Sequence, residues 1–107
     1  MTVPVKVQLL NEVAEIVGKR GLNYGGVEDN FARIARRWNA HLHNRYGADT
    51  PILDDIDVAM MMADMKMARL ENEPLHMDSW KDLMGYGACG GELAQIRSRF
   101  CIPRVDK

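Results

Sequence analysis

Residues 54–71 read DDIDVAMMMADMKMARLE. The run holds neither proline nor glycine and is dense in alanine, methionine and leucine, which lose little on entering a helix. At about 100° per residue, Asp57, Asp64 and Glu71 fall on one narrow stripe. Asp55, Lys66 and Arg69 fall on a second stripe, nearly opposite, and methionines, alanines and Leu70 fill the arcs between. A helix lying on a core needs one polar face. Two faces predict a central helix, with one charged stripe in water and the other against an internal cleft or a partner. Solvated charges with snorkelling stems, and methionines that merely fill the core, are the plainer alternatives.

The flanking sequence gives three more helices. Val7, Leu10, Val13, Ala14 and Val17 recur at a helical period, which predicts a helix from Val5 to Gly18 with Pro4 at its start. KRGLNYGGVEDN, with three glycines between Gly21 and Gly26, reads as a loop. A second helix is expected from Val27 to Tyr46, with Phe31, Ile34, Ala35, Trp38 and Leu42 on its apolar face. Asp54 or Asp55 can cap the third helix, and ENEP ends it because Pro74 cannot continue the ladder. The fourth opens at HMDSW, with Asp78 at its cap or first turn, and runs to Ser98. A loose tail follows from about residue 99. No run alternates as a strand does. The expected fold is all-α: one domain over residues 1–107, an antiparallel bundle of four helices.

The fourth helix carries DSWKDLMGYGACGGEL at residues 78–93. On its wheel Asp78, Asp82, Gly85 and Cys89 share one side, bordered by Tyr86. Each glycine costs an exposed helix interior about 1 kcal/mol relative to alanine, so close packing or a bound group is expected to offset it. Carboxylates one turn apart repel, and a hard divalent cation such as magnesium turns that repulsion into binding. Lys66 and Arg69 are then candidates to meet phosphate oxygens. Alternatively Asp78 caps the helix and Asp82 faces water.

Composition narrows the classes. A chain of 107 residues is marginal as a monomer, and a homo-oligomer is expected. A net charge of −1 argues against a nucleic-acid groove built on bulk positive charge, though not against a local anion site. Two cysteines make no metal motif and a weak disulfide framework, which fits a reducing, cytoplasmic setting. No apolar run is long enough for a membrane span, and NEVAE interrupts any signal-peptide core after MTVPVKVQLL. His41, His43 and His76 show no metal spacing.

Three pieces, RGLNYGGVEDNFARIARRW, DIDVAMMMADMKMARL and DSWKDLMGYGACGGEL, resemble in order a family of small phage and prophage proteins related to the MazG-like all-α nucleotide pyrophosphohydrolases. The resemblance implies an oligomeric helical bundle. It also implies acidic side chains on neighbouring helices that hold magnesium while pyrophosphate is released from a nucleoside triphosphate. The enzymes' later E-x-x-D pair falls here on Ser79 and Asp82, with Asp78 beside it as a substitute. For the earlier E-x-x-E pair the nearest acids are Asp57 and Asp64, seven apart; Glu12 and Glu15 have the spacing but lie on the first helix.

The expected site therefore has Asp57, Asp78 and Asp82 as catalytic and metal-holding acids. Lys66 and Arg69 face the phosphates, and Tyr24, Asn30 and Tyr86 contact the rest of the nucleotide. Trp38 is a further candidate for the base, although an apolar-face tryptophan is more often core, as is Trp80. The metal would polarise a phosphate oxygen and activate a water, and the cations would neutralise developing charge. Two other readings use the same residues: a module that binds or sequesters a nucleotide or other phosphorylated small molecule without cutting it, and a helical dimer packed through its Gly85/Cys89 face.

Overall fold

A computed structural model describes residues 2–24 and 26–100, with the side chains of residues 21–24 and of Glu28 left out. Four helices make up these residues: α1 Val5–Tyr24, α2 Val27–Tyr46, α3 Asp55–Asn72 and α4 Met77–Phe100. No strand occurs among them. α2 has the expected bounds. α1 runs six residues past Gly18, so Lys19 to Tyr24 are helical rather than loop. Glycine weakens a helix without forbidding it, and no proline stands there to remove a hydrogen bond. α4 likewise runs past Ser98, through Phe100, and the rest of the expected tail lies outside the described residues.

α3 and α4 form the most extensive contact, antiparallel across a short turn. α2 packs chiefly on α3, and α1 rests mainly on α4. The core is small. Phe31 and Ala35 of α2 meet Val58 and Ala59 of α3 and Leu93 of α4, with Trp38, Ile34 and Tyr86 packed against the cluster. Trp38 is thus a core side chain. Trp80 is half exposed and donates its indole N–H to the Pro74 carbonyl oxygen over the α3–α4 turn (2.8 Å).

The third helix starts as its sequence dictates. The Asp57 N–H donates to Asp54 Oδ1 and the Asp54 N–H donates to Asp57 Oδ2, both at 2.9 Å, a reciprocal capping box built from two aspartates. Its approach is held by Asn39 of α2. That amide donates to the Leu53 carbonyl (2.9 Å) and accepts from the Leu53 N–H (2.8 Å). Gly47, with φ 103°, reverses the chain just after α2 in a region that favours glycine.

Of the two charged stripes of α3, the one holding Asp55 and Lys66 turns towards α4. Lys66 Nζ lies 3.0 Å from Asp82 Oδ2, and Arg97 pairs with Asp55, so two of the stripe's three members bind α4. Arg69, its third member, is exposed, as are Asp64 and Glu71 of the first stripe.

The glycines of α4 divide. A Cβ at Gly90 would lie 3.2 Å from the Ala59 Cβ, so Gly90 sets how closely α3 and α4 approach. A Cβ at Gly85 would make ordinary contact with Val17 (3.7 Å) and Val13 (4.0 Å) of α1. The Gly85/Cys89 side packs in part against α1 and in part lines a neighbouring cleft.

Two stability outcomes follow from this packing. Gly18 sits in α1 with nothing near its missing Cβ. Gly18→Ala should raise the stability measured by urea unfolding by about 0.5–1 kcal/mol, while Gly90→Ala should lower it. Equal shifts would contradict the close α3–α4 approach. Asp54 is only 2% exposed. Asp54→Ala should cost about 1–2 kcal/mol on the same measurement, because the first turn of α3 loses its cap; a loss within error would contradict the capping box.

Candidate functional site

α1 and α2 both lean on α4 without closing against each other along their length. The gap between them is a cleft of about 870 Å³. Its size is in the range of small-molecule sites. Val13, Val17, Phe31, Ile34, Met62 and Ala88 supply apolar walls. Polar groups are few: Asn30 from the first turn of α2, Tyr86 and Asp82 from α4, and Arg20, Lys81 and Glu92. Cys89 lines the same space, its thiol pushed above the ordinary range by burial first, then by Glu92, with Arg20 opposing.

Three expected site residues, Asn30, Asp82 and Tyr86, are thus brought together. Asp57, Asp78, Lys66 and Arg69 are not among the residues lining the cleft. The Asp57 carboxylate serves the α3 cap. Asp78 lies exposed in the first turn of α4, where with Glu12 it raises the Lys81 pKa; the largest cause is the hydrogen bond Lys81 donates to Glu12 (2.7 Å). Lys66 is held by Asp82, and Arg69 is exposed on α3. The side chain of Tyr24 lies outside the described residues.

Arg20 and Lys81 are cleft residues that the linear sequence did not mark. Arg20 falls on the face of Val13 and Val17 only if α1 continues beyond Gly18. That continuation was the available signal, and the glycines concealed it. Lys81 looks like a solvated helix lysine until α1 places Glu12 beside it.

Among the described residues of one chain, the donor set does not fit a magnesium ion. Asp82 is neutralised by Lys66 and Asp57 is engaged at a helix end. Among the described residues no three histidine, cysteine or acidic side chains form a group able to hold a metal. No described helix is long and apolar enough to cross a membrane.

Comparison with known proteins gives a family but no named chemistry. The model of a domain of unknown function, DUF6378, matches residues 8–94, which include the cleft's helices. The chain belongs to the DUF6378 family. Among its relatives are the Gene 55 proteins of two mycobacteriophages. That of phage D29 is 35% identical over 82 residues, covering 76% of this chain and 50% of the phage protein. That of phage L5 is 35% identical over 82 residues, covering 75% and 48%. The chain spans about half the length of these curated relatives. No solved structure matches it.

In this DUF6378 domain the Lys66–Asp82 pair, 12% and 28% exposed at the side chains, joins the core to the cleft. Asp82→Asn should destabilise by about 1–2 kcal/mol, since it leaves an ammonium poorly hydrated and unpaired; the partial exposure keeps the loss below that of a fully buried pair. The double variant Asp82→Asn/Lys66→Met should recover part of the loss in urea unfolding. Strict additivity of the two single changes would show that the groups do not interact.

Proposed function

We propose that this protein binds a nucleotide, or a closely related phosphorylated small molecule, in the cleft between α1, α2 and α4. The observation that carries the reading is the makeup of that cleft: apolar walls that fit a planar base, an amide and a phenol among them, and Arg20 and Lys81 among its lining. Phe31, Ile34 and Tyr86 offer flat or apolar contact, as ligand sites commonly do. The Asn30 amide can both donate to and accept from a base edge. The Arg20 guanidinium offers a planar fork to phosphate oxygens. Lys66 contributes through Asp82, which it fixes in place, and Arg69 acts only on a phosphate chain that extends out of the cleft.

Magnesium-dependent hydrolysis of a nucleoside triphosphate to monophosphate and pyrophosphate, as in MazG-like enzymes, is the narrower form of this proposal. It requires carboxylates beyond those one chain gathers, and a homo-oligomer in which Asp57 or Asp78 of one copy faces Asp82 of another is their source. Binding without turnover needs no such addition, so the single-chain geometry favours it. Occurrence of the family in phages fits a role in the cytoplasm of an infected cell, where nucleotides are abundant.

A panel of nucleoside mono-, di- and triphosphates, each with and without magnesium, tests the proposal. A ligand at a hundred times its Kd should add about 2.7 kcal/mol to stability, which a melting curve reads as a rise of several degrees. The same ligand should slow alkylation of Cys89 in a Cys101→Ser background. Tyr86→Ala and Arg20→Ala should each weaken binding about tenfold, or about 1.4 kcal/mol. No melting shift and no protection of Cys89 by any nucleotide would overturn the binding reading. Joint release of monophosphate and pyrophosphate would establish the hydrolytic form.

A further inference from the structure

We infer, on the basis of the nucleotide reading proposed above, that the cleft takes one unpaired nucleotide of a single-stranded nucleic acid, whose neighbouring phosphates run along Arg33, Arg36 and Arg37 on the outer face of α2.

Charge is unevenly spread along the chain. Residues 30–48 hold four arginines and no acidic residue, although the whole chain has a net charge of −1. On the α2 wheel Arg33, Arg36, Arg37, His41 and Asn44 fall within one arc, opposite the buried Phe31 and Ala35. All five are exposed. Among the described residues no carboxylate forms an ion pair with any of the three arginines.

This face adjoins the cleft. Ile34 lines the cleft, and it also lines a depression whose other walls are Arg33, Arg36, Arg37 and Ala40. Asn30, one turn before Ile34, lines the cleft from the same helix. A ligand seated against Asn30 and Ile34 therefore lies beside the arginines.

Inside the cleft, cationic charge is scarce. Lys81 is held by Glu12 at 2.7 Å, and Asp82 and Glu92 share the lining. Arg20 is the one cleft-lining cation in no ion pair among the described residues. Such a lining answers one phosphate and repels the stacked charge of three. A strand instead carries one charge per nucleotide and spreads it outwards, where the arginine face stands uncovered. Guanidinium forks fit phosphate oxygens. Arg33 and Arg37 are about 6 Å apart along the helix axis, within reach of successive phosphates. A base must be unpaired to enter the cleft, which excludes an intact duplex. An acidic protein suits the face less well. Protein contacts are anchored by buried aromatic and large apolar side chains. The exposed members here are arginines, Ala40, His41 and Asn44, the polar and positive makeup of a nucleic-acid contact.

Fluorescence anisotropy with labelled single strands of DNA and of RNA, about twelve nucleotides long to span a typical single-strand site, tests this. Arg33→Gln/Arg36→Gln/Arg37→Gln should weaken binding at least tenfold with helical circular dichroism retained. It should also lower the slope of log K against log salt by about 2, as the loss of three phosphate contacts requires. Lys6→Gln/Lys19→Gln/Arg99→Gln removes equal charge from exposed sites on α1 and α4 and should change binding far less. A saturating strand should slow alkylation of Cys89 in the Cys101→Ser background. Strands that fail to bind while a mononucleotide still protects Cys89 would overturn the strand and leave the cleft reading standing. Protection of Cys89 by neither would remove both. Strand binding that the arginine variant leaves intact, that the control variant weakens equally, or that leaves Cys89 unprotected would also overturn the inference. So would a duplex that binds as tightly as the single strand, or displacement by a poly-glutamate peptide of equal charge, which would assign the face to an acidic protein.

Discussion

The contact between α3 and α4 is the constraint on which the other helices depend. Three pairs along it, Asp55 with Arg97, Ala59 with Gly90, and Lys66 with Asp82, share one antiparallel register. The outer two are ion pairs between partly buried side chains, and at the middle one a Cβ on residue 90 would crowd Ala59 at 3.2 Å. Together they tie direction, spacing and rotation. Sliding α4 by one residue would pull both charge pairs out of register, and in one direction it would set Cys89 in place of Gly90 opposite Ala59. Val58 and Leu93, almost wholly buried, lie within the same stretch. An isolated surface ion pair contributes little. Two that flank a close approach act on register, because any alternative leaves poorly hydrated charges without partners.

With that hairpin in place, α4 has two further sides to assign, and its small residues decide how they are used. Gly85 receives Val13 and Val17 of α1. Phe31 and Ala35 bring α2 in beside Leu93. Since α1 and α2 approach α4 from different directions, a cleft opens between them, floored by Gly85, Ala88 and Cys89. The acids and glycines of residues 78–93 therefore serve different neighbours: Asp82 ties the helix to α3, Gly85 admits α1, Gly90 admits α3, and Gly87 and Gly91 face outward. Local sequence places these residues on one element, but partners on different sides give each its purpose.

A core of this size limits what the monomer can do alone. Few side chains are fully buried, and many large apolar ones stay in contact with water. Small domains commonly solve this by association. The cleft is bounded on one side by α1, a helix that rests mainly on α4.

The sequence by itself determined the helical class, the α2 bounds, an aspartate cap at the start of α3 and two separate charged stripes along that helix. Each rests on local periodicity or on a cap whose donor and acceptor are three residues apart. It also marked residues 78–93 as unusual, and Asn30, Asp82 and Tyr86 do share a cleft. Only the tertiary structure decided that Asp57 is spent on a helix end, that Lys66 answers Asp82, and that α1 continues through its glycines to carry Arg20 to the cleft. Those outcomes depend on which side of a helix a neighbour occupies. That is set by packing between segments far apart in the chain, to which a single helical wheel is blind.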